Sequence, residues 1–114
     1  MSAITTHILD TSRGRPAGGV RVVLEVQGDE GWKLLGQGRT DADGRLKDLL
    51  PADFDLQAGV YRLTFRTSEY FAAERVESFY PEVTISFTVN ETAAAHYHVP
   101  LLVSPFGYST YRGS

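Results

Sequence analysis

The sequence predicts an all-β domain, a two-sheet antiparallel sandwich carrying one short helix. Three observations predict it. Valine, isoleucine, threonine and aromatic residues fill short segments that glycine, proline and aspartate clusters separate, a composition of strands and turns. Within the segments apolar and polar residues alternate with the period of two that turns one face of a strand inward. Only one stretch carries a cap residue followed by helix formers. Two stacked sheets let roughly seven or eight such strands bury their apolar faces against each other.

The first strand runs from Ala3 to Leu9, with Ile4, Thr6 and Ile8 on one face and Ala3, Thr5, His7 and Leu9 on the other. "DTSRGRPAGG" forms a glycine-rich loop, and "VRVVLEVQ" follows with Val20, Val22, Leu24 and Val26 sharing a face opposite Arg21, Glu25 and Gln27. "GDEG" turns the chain into "WKLLGQGRT" from Trp32. "DADGR" then places turn chemistry before Arg45, because Asp and Gly tolerate the angles of a tight reversal. "VYRLTFRT" turns Tyr61, Leu63 and Phe65 inward, and "SEYFAAERV" starts the helix with Ser68 as its cap. "VTISFTVN" sets Val83, Ile85, Phe87 and Val89 against Thr84, Ser86, Thr88 and Asn90. "HYHVPLLVSP" is the last strand expected, with Tyr97, Val99, Leu101 and Val103 inward and His96, His98, Pro100 and Leu102 outward.

At 114 residues the chain reads as one domain, residues 1–114, with a single core. The formal charge of −3, with its cations scattered, argues against nucleic acid or an anionic membrane as partner. The absence of cysteine removes disulfides, thiolate catalysis and cysteine-bound zinc. "MSAITTHILD" has neither a basic nor an apolar leader region, so a cytoplasmic location is the expectation.

All three histidines, His7, His96 and His98, fall on outward strand faces. Singly, such residues are ordinarily solvated or hydrogen-bonded surface groups. Together they open two chemical readings. A His-x-His pair on a strand points both imidazoles the same way about 6.5–7 Å apart, a spacing that a third histidine could complete into a metal site. Alternatively, imidazoles with a pKa of about 6.5 can take and return a proton near neutrality without any metal. Arg45 and Arg112 would then offer forked donors to a planar, oxygen-rich substrate. No Gly-x-Ser-x-Gly elbow is present, and "GRPAGG" lacks the lysine and hydroxyl residue of a phosphate-binding loop.

Four motifs carry a family resemblance: "THILDTSRGRPAGGV", "TDADGRL", "ESFYPEVTISF" and "HYHVPLLVSPFGYSTYRGS". In order and over nearly the whole chain, they resemble the transthyretin-like 5-hydroxyisourate hydrolases. The terminal "YRGS" is the most specific part, since the hormone-carrying transthyretins share the fold without it. The resemblance implies a transthyretin-like sandwich that hydrolyses 5-hydroxyisourate in urate breakdown, with no cofactor and no metal. It implies His7, Arg45 and His98 as catalytic residues, and Tyr111, Arg112, Gly113 and Ser114 around the substrate. His96 takes a supporting role at most. A homotetramer built as a dimer of dimers is also implied; the alternative is a transthyretin-like carrier of a small aromatic ligand, against which the terminal "YRGS" and the histidine pair argue.

Overall fold

The computed structural model describes residues 2–90 and 96–114. Among the described residues, nine strands form two sheets. The first sheet holds β1 (Ile4–Asp10), β2 (Arg15–Pro16), β5 (Arg45–Leu46), β8 (Tyr97–Ser104) and β9 (Gly107–Thr110). The second holds β3 (Arg21–Gly28), β4 (Gly31–Arg39), β6 (Gly59–Phe65) and β7 (Val83–Val89), in the order β4-β3-β6-β7. The one helix among the described residues, α1, spans Thr67–Ala73. The expected sandwich with one short helix is therefore the observed architecture.

The alternation places the core where expected. Ile4, Ile8, Leu101 and Val103 from the first sheet meet Val22, Leu24, Leu63, Phe65, Val83 and Val89 from the second, all buried. Each such side chain contributes about 1.5–3 kcal/mol on leaving water. Leu49, Leu50 and Leu56, from the long segment between β5 and β6, are buried in the same cluster.

The strand number exceeds the roughly seven or eight expected, because short pairings such as β2, inside the segment read as a glycine-rich loop, add to it. Three further details differ from the expectation. First, β1 and β8 pair in parallel, with Thr5 beside His98 and His7 beside Pro100, while every other strand pair is antiparallel. The chain leaves β1 to build the whole second sheet and returns alongside it in the same direction. Second, β9 follows β8 through a tight reversal, although "GYST" has no inward apolar row to announce a strand: one of its residues is half-buried and three are exposed. Third, Ser68 does not cap α1. Arg66 is at the cap position and makes no side-chain capping hydrogen bond, and the Ser68 hydroxyl donates instead to the carbonyl of Pro81 at 2.6 Å.

Asp10, at the end of β1, fastens the helix to the first sheet. Its fully buried carboxylate accepts from the Tyr70 hydroxyl of α1 at 2.8 Å and from the Ser12 hydroxyl at 2.6 Å, with further donation from the Ser12 and Arg13 amides. Burial by itself would raise the Asp10 pKa. The hydrogen bonds from Ser12, Tyr70 and the backbone outweigh it and hold the group below its ordinary value, whereas burial and the Asp10 contact push Tyr70 up to about 12.

Because the folded-state pKa of Asp10 is depressed, its stabilising contribution is present above the unfolded value of about 3.9 and is lost as pH falls through the lower folded value. Tyr70→Phe strands a buried acceptor and should cost about 1–3 kcal/mol at pH 7. In urea unfolding, the gap between variant and wild type should narrow in strong acid; a gap independent of pH would disprove the linkage.

Candidate active site

The outward side of the first sheet is built around β1. Thr5 and His7 are successive residues on that side, and the strand pairings set His98 and Pro100 on one flank and Arg45 on the other. His7 is thus held between Arg45 of β5 and Pro100 of β8. Its Nε2 is 2.9 Å from the carbonyl oxygen of Asp43. A carbonyl can only accept, so Nε2 carries the proton, and Nδ1 is the acceptor nitrogen of the neutral ring.

The turn that supplies Asp43 and Arg45 is tightly fastened. The Asp41 side chain accepts from the amides of Asp43 at 2.9 Å and Arg45 at 3.0 Å, and the Arg45 hydrogen bond leads in keeping the Asp41 carboxylate below its ordinary pKa. Gly44 closes the turn at φ +76°, and its carbonyl accepts from the Ile8 amide of β1 at 2.8 Å. A Cβ at Gly44 would come within 2.4 Å of the Ile8 carbonyl oxygen, so only glycine lets the turn seat against β1.

Thr5 joins the other two histidines. Its buried hydroxyl oxygen is 2.8 Å from His98 Nδ1 and 2.9 Å from His96 Nε2. The rings lie 6.3 Å apart with 30° between their planes. Burial, followed by the nearby charges of His96, Arg45 and His7, lowers the His98 pKa from its ordinary value. The ring is therefore largely neutral at pH 7, a form able to accept a proton.

The C-terminal residues complete this face. The Gly113 amide donates to the His98 carbonyl at 2.8 Å, forming an isolated antiparallel bridge. A Cβ at Gly113 would be 2.6 Å from His98 Cδ2, closer than such atoms approach, so glycine is required for the tail to lie against that imidazole. Arg45, Lys47, His96, His98, Thr5, Thr6 and Ser114 line an open depression of about 260 Å³. An adjoining groove of about 240 Å³ is lined by Tyr111 and Arg112 together with Ile85, Phe87 and Tyr97, and His98 borders both hollows. The Arg112 guanidinium is 4.6 Å from the centre of the Tyr97 ring.

The sequence-derived residues thus fall into two groups. His7, Arg45, His98 and Ser114 gather on one face, with Gly113 seated against His98. Tyr111 and Arg112 line the adjoining groove. Thr5 and Lys47 carried no assignment from sequence, although Thr5 shares its strand face with His7 and Lys47 stands two residues from Arg45. Only the β1–β8 register, invisible in a linear reading, sets Thr5 beside His98. His96 is more closely engaged than its position two residues away suggested. Among the described residues, no group of three or more histidine, aspartate or glutamate side chains converges in a way that could hold a metal ion. His96 and His98 have nearly the expected His-x-His spacing, but each directs a ring nitrogen to the Thr5 hydroxyl.

Comparison with known proteins places the chain in a family. The family model described as HIUase/Transthyretin family matches residues 4–113. A 5-hydroxyisourate hydrolase of Salmonella dublin is 49% identical over 111 residues, covering 97% of this chain and 80% of that protein. Among solved structures, Klebsiella pneumoniae 5-hydroxyisourate hydrolase superposes with a TM-score of 0.86 at 41% identity, covering all of both chains. Transthyretin from Sparus aurata superposes with a TM-score of 0.92 at 31% identity, covering 99% of this chain and 97% of that one. The backbone is shared by both kinds of protein, while sequence identity is higher to these hydrolases. The resemblance drawn from the four motifs is borne out, and the chain belongs to the HIUase/transthyretin family.

Proposed function

We propose that the protein hydrolyses 5-hydroxyisourate to 2-oxo-4-hydroxy-4-carboxy-5-ureidoimidazoline in urate breakdown, without a metal or other cofactor. The observation that carries this reading is the gathering of two imidazoles, His7 and His98, with Arg45 and Ser114 on one sheet face. The hydrolases named above support the substrate. The likeness to a transthyretin is one of fold, and function is decided by the site.

In the proposed reaction, the water oxygen bonds to a ring carbonyl carbon while one of the two imidazoles takes the water proton. The carbonyl oxygen gains negative charge, which the Arg45 guanidinium stabilises. Collapse of the tetrahedral intermediate breaks the ring C–N bond, and the proton returns to the departing nitrogen. Tyr111 and Arg112 bound the substrate from the adjoining groove, and Gly113 and Ser114 close the His98 side.

The working form is a homotetramer, a dimer of dimers. A single chain leaves the histidine face open, and a second copy would cover it and exclude water. A cluster of aromatic residues also calls for cover. Phe79 and Phe106 are 70% and 66% exposed, and the Tyr80 ring packs edge-on against both Phe79 and Tyr108.

Freshly generated 5-hydroxyisourate should lose its near-ultraviolet absorbance far faster with the protein than in buffer, with no change after chelator treatment. An unaltered decay would remove the assignment. Because the His98 pKa is lowered, its proton-accepting form persists into mild acid, so the acid limb of kcat/KM, which reports the free enzyme, should lie below pH 6.5.

His7→Asn, His98→Asn and Arg45→Gln should each lower kcat by about 10²-fold or more while far-ultraviolet circular dichroism stays unchanged. Full activity in all three would exclude this mechanism. Gly113→Ala should force the tail away from the His98 ring, lowering activity by about 10-fold or more with little loss of stability, since the strain falls on an exposed terminus. A fully active Gly113→Ala enzyme would show that tail contact with His98 is dispensable.

A further inference from the structure

The Thr5 hydroxyl has a single proton and stands within hydrogen-bond distance of a nitrogen on each of two imidazoles. It can donate to only one of them, so the other imidazole must donate to Thr5. The proton positions on His96 and His98 are therefore complementary. If His98 Nδ1–H donates to Thr5 Oγ1, the Thr5 O–H donates to His96 Nε2, and His98 Nε2 remains bare. If the Thr5 proton points the other way, His98 is protonated at Nε2 and His96 Nε2–H donates to Thr5.

The surroundings give this arrangement a direction. Thr5 is buried, His98 is half-buried and His96 is exposed, so within the depression that all three line the chain of groups runs from a sheltered imidazole to a solvated one. A positive charge on His98 would face His96 from the residue just before β8 and His7 from β1, with Arg45 from β5 and Lys47 just beyond it also lining the site. A proton on exposed His96 has water to solvate it. Extra charge is better tolerated at the outer end of the chain than at the inner one.

Resting on the hydrolytic reading above, we infer that Thr5 is a positioning residue that couples the tautomers of His98 and His96 and passes the water proton from one to the other. In the starting arrangement His98 Nε2 is bare and faces the water. As the water oxygen bonds to the ring carbonyl carbon, its proton goes to His98 Nε2. The Nδ1 proton moves to Thr5 Oγ1 and the hydroxyl proton moves to His96 Nε2. One proton enters at the inner imidazole and one appears at the outer imidazole, with no change in oxidation state. His98 is left neutral and protonated at Nε2, the form that donates to the departing ring nitrogen. Return of the two relay protons restores the starting arrangement.

The test is a pair of substitutions at Thr5 in the full-length protein. Thr5→Val keeps the shape and removes the hydroxyl, whereas Thr5→Ser keeps the hydroxyl. Thr5→Val should lower kcat on the order of 10- to 100-fold, less than loss of the base itself, with KM changed by less than about 3-fold. Thr5→Ser should retain most of the rate. Nitrogen-15 NMR of the histidine rings provides a readout that a merely structural role would not move: wild type should show His98 and His96 in linked tautomers, and Thr5→Val should let His98 relax to a mixture. An unchanged kcat and His98 spectrum in Thr5→Val, or an equal loss of rate in Thr5→Ser, would overturn the proposal. If the wild type failed to hydrolyse 5-hydroxyisourate, the reaction assignment would fall, while the spectra would still decide whether Thr5 links the two rings.

Discussion

The parallel pairing of β1 with β8 is the constraint on which the rest of the site depends. Strand side chains alternate faces, so a slip of one residue would turn His98 into the core and bring Tyr97 out in its place. The observed register prevents this by burying Ile4 and Ile8 with Leu101 and Val103 on the inner side. The same hydrophobic burial that stabilises the sandwich therefore sets Thr5 beside His98 and His7 beside Pro100. The position of the imidazoles is a by-product of core packing, and precision at the surface comes from rigidity beneath it.

Around this pair of strands, short irregular segments provide the remaining groups. The Asp41–Arg45 turn is fixed by its own carboxylate and by a glycine that alone permits the close approach to β1, and it delivers both the Asp43 carbonyl that orients His7 and the Arg45 guanidinium. The tail returns against β8 through one backbone bridge at Gly113. Both segments are polar loops held on a strand scaffold, the usual division between elements that give stability and those that carry chemistry.

Much of the fold was legible in the sequence because alternation is a local signal. The inward rows of β3, β6, β7 and β8 are all buried or half-buried as the period of two predicts. What escaped was non-local or competitive. The direction of pairing between β1 and β8 depends on the path of the intervening chain, and β9 is held by its neighbour rather than by its own pattern. Ser68 has the chemistry of a cap, but a carbonyl thirteen residues away competes successfully for its hydroxyl. Among site residues, the outward placement of the histidines followed from alternation, while the grouping of His7, Arg45 and His98 came from resemblance. Thr5 was overlooked because a threonine on a strand is ordinary, and its significance depends on a partner far away in the sequence.

That separation has a consequence for how the molecule comes into being. The Thr5 and His98 side chains that meet at 2.8 Å are 93 positions apart, and the second sheet and the helix are made between them. On a growing polypeptide, hairpin pairings such as β3 with β4 can form as soon as both strands emerge, whereas the first sheet must leave its central strand waiting for a neighbour made near the end. Closing so long a loop is slow and entropically costly. The face that holds the candidate site is thus assembled only after the second sheet has been made, and the nascent chain exposes an unpaired β1 edge until β8 arrives.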